Sequence, residues 1–289
     1  MAADWVAAAV FLLGALLALA SAPLALAEAA EDATRDRVQR AFDRTFQQPG
    51  VRRIELRVAR AGREVARRRF ELAHRREGWG ARSLLRFVAP DYLRGHALLI
   101  VDAGAGQPPD TWLYQPEERR PRRVGVTQKG DAFYGSDLSY EDLERADWRR
   151  WRVATVESAE EGGVACLVLD AWPPAGSQYG RLRVWLATQL EGVARIDFFG
   201  RAGARPEAGE PPFKRLRVPL GGVEAEQGYL RVRRIEVEAV GRDARTELVV
   251  ERLVIDPAIA ASLFSAVRLE REGQGLFELA EQHERDAAP

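Results

Sequence analysis

The chain contains one cysteine, Cys166, and three histidines, and its 43 basic side chains are cancelled by 43 acidic ones. A single cysteine excludes an intramolecular disulfide framework and a cysteine-rich zinc site. His74, His96 and His283 lie far apart and form no HExxH pair or other ligand spacing, so metal and imidazole chemistry lack a motif. Zero net charge removes the basic field on which nucleic-acid binders depend. Ser136 stands in no Gly-x-Ser-x-Gly elbow, and no nucleophile, base and orienting acid can be assembled. No catalytic residue, cofactor or metal is therefore assigned, and the chain is expected not to be an enzyme.

Long apolar runs are also scarce, with one exception. Trp5 to Ala27 carries no charge and ends in Ala25-Leu26-Ala27 before Glu28, the small-x-small pattern at which signal peptides are cut. Its amino-terminal flank, Met-Ala-Ala-Asp, lacks Lys and Arg, and the run is long enough to serve as an uncleaved anchor instead. The expectation is a signal peptide over 1–27, cleaved after Ala27, and one periplasmic domain over 28–289. Glu28 stands where a bacterial lipoprotein needs its acylated cysteine. Cys166, inside the apolar run Val164–Leu169, reads as a small buried hydrophobe.

The composition of the full 289-residue chain, 46% hydrophobic and 30% charged, suits a folded core. Val38, Phe42 and Phe46 recur at helical spacing, predicting a helix over Glu31–Phe46 that Gln47-Gln-Pro-Gly50 stops. The period then changes to two: Ile54, Leu56 and Val58 alternate with Arg53, Glu55 and Arg57. Strands follow at Ser83–Ala89, His96–Asp102, Thr111–Gln115 and Arg122–Thr127. A second set spans Trp151–Ser158, Val164–Trp172, Arg181–Ala187, Val193–Gly200, Tyr229–Val240 and Thr246–Asp256. About eleven or twelve strands joined by short turns predict a mainly β fold, an antiparallel sheet curling toward a barrel. Leu98–Val101 and Leu248–Val250 are apolar on both faces and should be covered on both sides. A parity slip at Arg233-Arg234 suggests a bulge.

Two stretches interrupt the pattern. Gly203–Pro212 is rich in Pro, Gly and Glu and reads as a loop, and Leu276–Arg285 as a last short helix. Phe133–Trp151 should hold a short helix capped by Ser139, with Glu141 and Asp142 in its first turn. Asp137, Glu141 and Asp142 read as helix-capping acids rather than a hydrolase pair. His74 and His96 read as structural. Arg119–Arg123 reads either as a solvated turn or as a contact for anionic headgroups.

Certain residues then form a succession. Phe87-Val-Ala-Pro-Asp-Tyr-Leu-Arg-Gly95 precedes an apolar strand and Thr111-Trp-Leu-Tyr-Gln-Pro116. Phe133-Tyr-Gly-Ser-Asp-Leu-Ser-Tyr-Glu-Asp-Leu143 and Ile196-Asp-Phe-Phe-Gly200 follow. This resembles the outer-membrane lipoprotein-sorting family of LolA/LolB-like periplasmic carriers over roughly Glu31–Glu270. It looks closest to a branch often encoded beside exporters of the resistance-nodulation-division type. The resemblance implies an unclosed antiparallel barrel with helices across its open side and an apolar interior that takes lipoprotein or lipid acyl chains. The alternative is a non-enzymatic accessory subunit of an inner-membrane exporter. Cavity candidates are Leu56, Leu98, Ile100, Trp112, Tyr114, Leu182, Val184, Ile196 and Phe198. Tyr134, Gly135, Ser136, Asp137, Leu138, Tyr140 and Leu143 are the candidate gate or docking loop at the barrel mouth. A monomer that binds no nucleic acid is expected.

Overall fold

The computed structural model describes residues 28–104, 106–200, 210–256, 258–270 and 275–280. The expected signal peptide, residues 203–209 of the Gly203–Pro212 loop and the end of the last expected helix lie outside the described residues. Helix α1 (28–46) ends at Phe46, as the Gln-Gln-Pro-Gly stop predicts. Its stripe of Val38, Ala41 and Thr45 is buried, with Phe42 and Phe46 packed beside it. Within the helix Thr45 Oγ1 donates to the Ala41 carbonyl at 2.7 Å.

Fifteen strands follow. The first six are β1 (Gly50–Arg60), β2 (Arg63–Glu77), β3 (Gly80–Ala89), β4 (Ala97–Asp102), β5 (Asp110–Tyr114) and β6 (Arg122–Arg123). Next come β7 (Arg152–Glu161), β8 (Val164–Trp172), β9 (Arg181–Ala187), β10 (Gly192–Phe199) and β11 (Lys214–Arg217). The last four are β12 (Ala225–Glu226), β13 (Tyr229–Leu230), β14 (Arg234–Ala239) and β15 (Ala244–Ile255). Thirteen of them form one antiparallel sheet in the order β6-β5-β4-β3-β2-β1-β15-β14-β11-β10-β9-β8-β7, while β12 and β13 pair separately. The count exceeds the expected one because Lys214–Arg217 and Ala225–Glu226 are too short to show a period and Tyr229–Val240 divides in two, while Arg122–Thr127 forms a strand only at Arg122–Arg123. Tyr229–Val240 is two strands in different sheets, so the slip at Arg233-Arg234 marks a break rather than a bulge.

The first and last strands meet in the middle of this sheet: β1 pairs with β15 from Gly50↔Ile255 to Arg60↔Ala244. The pairing needs glycine at position 50, whose φ is +118° and where a Cβ would stand 2.1 Å from the Val254 carbonyl oxygen. Extra residues opposite Arg53/Ile54 and Val58/Ala59, in β15 and β2, form bulges that help the sheet coil.

Strands β6 and β7 are consecutive in the chain yet occupy opposite edges. Residues 124–151 therefore span from one edge to the other, forming a strap. It is built from single 3-10 turns at Val126–Gln128, Phe133–Gly135, Glu141–Leu143 and Trp148–Arg150. The short helix expected after Ser139 is the third of these turns. Its capping contacts do form: Ser139 N donates to Asp142 Oδ2 at 2.7 Å and Asp142 N to Ser139 Oγ at 3.4 Å.

The two faces of the sheet carry different cores. The concave face, α1 and the strap share the main cluster, including Leu56, Phe87, Leu98, Phe133, Trp148, Val184 and Ile196. On the convex side Val51, Ala73, Leu84, Leu99 and Tyr114 pack under Leu263, Phe264 and Leu269, with Leu276 and Phe277 from helix α3 (276–280). Helix α2 (Ala266–Leu269) precedes it. Leu98–Val101 is thus covered on both faces, as its sequence requires. Val249 and Val250, by contrast, stay half-buried. Elsewhere the convex face carries ion pairs, as where Asp197 sits between Arg195 at 2.6 Å and Arg215 at 2.7 Å. Burial pushes this carboxyl up, but the two guanidiniums hold it below its ordinary range.

Leu56 lies at the centre of β1 with 0% exposure. Leu56→Ala is expected to cost about 2–5 kcal/mol, read as a lower urea midpoint at unchanged slope. A midpoint within error of the wild type would contradict a close-packed sheet centre.

Candidate functional site

Between the concave face, α1 and the strap lies a cavity of about 350 Å³, within the ~300–1,000 Å³ range of ligand pockets. Strand parity decides which residues reach it. Leu98 and Ile100 of β4 share a face with Leu85 and Ser83 of β3, and Leu182 and Phe198 of β9 and β10 are directly opposed. Leu98, Ile100, Leu182, Ile196 and Phe198 line the cavity, as do Ile54, Phe70, Leu85 and Leu216. Phe42 and Phe46 of α1 and Leu138, Leu143 and Trp148 of the strap complete the apolar wall.

Four of the nine candidate residues are elsewhere. Leu56 and Val184 belong to the main core but are covered by neighbours instead of bordering the cavity. Trp112 and Tyr114 face the other way. Trp112 pairs with Leu99 and Tyr114 with Ala97, so both join the convex cluster, while Leu113 opposite Leu98 is the inward residue. Because side chains alternate, Trp112 and Tyr114 cannot share a face with Leu98 and Ile100 in this register.

The strap residues divide in two. Phe133 is fully buried, edge-on to Phe70 and Tyr140 and stacked on Phe87. Tyr134 packs on Phe87 and lies 3.0 Å from His96 Nδ1, in a left-handed conformation (φ 48°) that Gly135 (φ 72°) continues. Ser136 Oγ donates to the Phe133 carbonyl, and Asp137 accepts from Thr246 Oγ1 at 2.7 Å and pairs with Arg60 at 3.0 Å. Residues 133–137 thus fill one end of the barrel, while Leu138 and Leu143 border the cavity. Tyr140 packs against the core between them.

Two buried charge clusters tie the strap down. Asp142 pairs with Lys214 of β11 at 2.5 Å and accepts from Tyr179 Oη at 2.6 Å. The Lys214 ammonium sits over the Phe198 ring at 4.3 Å. Burial first, and then the Asp142 carboxylate, push the Tyr179 hydroxyl well above its ordinary pKa. On the other side Arg145 grips both oxygens of Asp43 in α1 at 3.0 Å and reaches Asp102 of β4 at 3.4 Å. Gln39 extends this cluster, donating to Asp43 at 3.0 Å and accepting from Trp148 N at 3.0 Å. Burial would lower the Arg145 pKa, but Asp43 and Asp102 hold it above its ordinary value. Asp43, Asp102, Arg145, Tyr179 and Lys214 carry no short-range sequence signal, since each comes from a different part of the chain.

The cavity has a polar end. Arg52 and His74 lie one row apart on the concave face, where Gly50 opposes His74 and Arg52 opposes Leu72. The sequence does carry a trace of this, since Arg52 occupies the parity that Ile54, Leu56 and Val58 keep apolar. His74 Nδ1 is 2.8 Å from Ser83 Oγ, and Nε2 has no partner. Burial, followed by the nearby charges of Arg52, Arg145 and Arg76, lowers the imidazole pKa well below 6.5. Glu144, on the strap side, is pushed up by burial despite Lys129 at 2.7 Å. Cys166 is buried, and burial raises its thiol pKa. Arg119 is exposed in a turn and does not border the cavity. Among the described residues no group of three His, Cys, Asp or Glu side chains could hold a metal ion.

Two measurements check these charges. Lys214→Met leaves Asp142 buried without its cation, with an expected cost of about 3–5 kcal/mol. Adding Asp142→Leu should recover much of that loss, and an undiminished loss in the double variant would argue against coupling. His74 titrates near 6.5 when unfolded but stays neutral to lower pH when folded. The unfolded state therefore binds more protons below pH ~6.5, and stability falls as pH drops through that value. The urea midpoint of His74→Gln should decline less steeply than that of the wild type between pH ~7.5 and ~5.5; parallel declines would assign the effect elsewhere.

Among the described residues no helix is long and apolar enough to cross a membrane. A protein-family profile whose description reads "uncharacterized protein" matches residues 80–271. No curated protein matches the chain. Among solved structures, a Vibrio parahaemolyticus domain named for outer membrane lipoprotein sorting superposes with a TM-score of 0.72 and 23% identity, covering 82% of this chain and 98% of that one. A DUF1329 family protein from Desulfovibrio piger gives 0.72 and 23%, covering 83% and 98%. A LolA superfamily protein from Nitrosomonas europaea gives 0.60 and 15%, covering 80% and 96%. The chain belongs to the family of the matched profile, and its fold is that of the LolA-superfamily, lipoprotein-sorting proteins.

Proposed function

We propose that this protein is a periplasmic carrier that binds the acyl chain of a lipoprotein or lipid and hands it on toward the outer membrane. The observation that carries the reading is the apolar cavity of about 350 Å³ enclosed by the concave sheet face, α1 and the strap. Each methylene moved from water into such a space contributes about 0.8 kcal/mol, so binding requires no covalent step. The strap and α1 form the wall opposite the sheet, and release requires them to part or an acceptor to compete for the chain. The small-x-small end of the apolar run at Ala25–Ala27 supports export with cleavage after Ala27. The names of the superposed proteins from Vibrio and Nitrosomonas agree with this reading.

Native mass spectrometry of the protein purified from cell envelopes is expected to find a bound lipid. After delipidation, a fluorescent fatty acid should rebind, and Leu182→Trp, which intrudes on the cavity, should weaken it by about ten-fold or more. A folded, delipidated protein that takes up no acyl probe would refute the carrier reading.

A further inference from the structure

The polar end of the cavity contains a cation without a counter-charge. Arg52 is buried, and the oxygens it contacts are neutral: Nη1 donates to Gln48 Oε1 at 2.5 Å and to the Phe46 carbonyl at 3.3 Å, and Nη2 to the Gln48 carbonyl at 2.8 Å. Its Nε has no hydrogen-bond partner, and among the described residues no carboxylate lies within ion-pair distance. The carbonyls at the end of α1 offer at most the partial negative charge of a helix terminus. Burial alone lowers the Arg52 pKa to about 10, the response of a guanidinium that has lost water without gaining an anion.

Its surroundings are positive as well. Arg145 and Arg76 face Asp43 and Asp102, at 3.0 Å or more, so three cations with Arg52 meet two carboxylates. His74, beside Arg52, keeps Nε2 unpartnered, and the indole Nε1 of Trp148 in the same cavity wall is also unpartnered. Buried donors of this kind are costly unless something accepts from them. The acids on the strap side are already engaged: Asp142 by Lys214, Glu144 by Lys129, Asp147 by Arg149, and Glu141 by Ser177 and the Gln178 amide.

We infer that the Arg52–His74 end of the cavity is a binding site for the anionic head, a carboxylate or phosphate, of a single-chain amphiphile whose tail lies along the apolar wall. The inference rests on the carrier reading and narrows its cargo. The head supplies the charge that Arg52 lacks and an acceptor for the Nε–H, and a charge-assisted bond in a site shielded from water is stronger than a neutral one. A neutral chain of the same length fills the same space but leaves Arg52 uncompensated. The cavity volume, at the small end of ligand pockets, suits one chain.

The test compares hexadecanoate, hexadecyl phosphate and hexadecanol as competitors of a fluorescent acyl probe on the delipidated, exported protein at low salt. Wild-type protein should prefer the better anionic chain to the alcohol by about ten-fold or more. The preference should shrink in Arg52→Gln and survive in Arg52→Lys. Which anion binds more tightly tells a fatty-acid head from a phospholipid one. Equal displacement by all three on wild-type protein overturns the inference while leaving the carrier reading intact, and needs no variant to fold. A preference undiminished in Arg52→Gln overturns it too. Failure of all three, hexadecanol included, overturns both.

Discussion

The grip of Arg145 on Asp43 and Asp102 holds together three parts of the chain that lie far apart in sequence. Strand order creates the need for it. Since β6 and β7 are neighbours in sequence and opposite edges in space, the connection must cross the hollow of the sheet. Such a crossing lacks ladder hydrogen bonds of its own, and its backbone must be satisfied by turns and side chains. The strap does this with four 3-10 turns and with charged anchors at Asp137, Asp142, Glu144 and Arg145.

Charged anchors are a costly way to hold a segment, because desolvating each ion offsets much of the attraction. Apolar side chains would do the same at less cost, but they would fill the space that the strap encloses. Asp142–Lys214 and Arg145–Asp43 fix the middle of the strap, while Leu138, Leu143 and Trp148 face an interior that is not packed solid. The aromatic group around Phe133 closes one end in the ordinary way, by contact. Anchoring the strap and giving the cavity its apolar lining are thus assigned to different residues, charged and apolar.

The same economy shapes the two faces of the sheet. The convex face is stabilised where Leu263, Phe264, Leu276 and Phe277 cover it and is paired as Arg–carboxylate networks where they do not. The concave face admits few charges, and Arg52, which has no carboxylate partner among the described residues, stands at the end of the cavity.

Period-two alternation was enough to read the β class, the hairpin order and the covering of Leu98–Val101 on both faces. Helix spacing located α1, because such periods are local patterns that the backbone imposes on neighbours in sequence, whereas the unclosed barrel was implied by the family resemblance of the succession from Phe87 to Gly200. The inward placement of Leu98, Ile100, Leu182, Ile196 and Phe198 followed from alternation within single strands. That of Trp112 and Tyr114 did not, since which parity faces inward depends on the register against β4, a relation between strands. Arg52 was not singled out by the sequence, although it stands in the row that Ile54, Leu56 and Val58 keep apolar. Asp43, Asp102, Arg145, Tyr179 and Lys214 were brought together only by the tertiary structure, for an ion pair between residues far apart in sequence leaves no periodic trace in either segment.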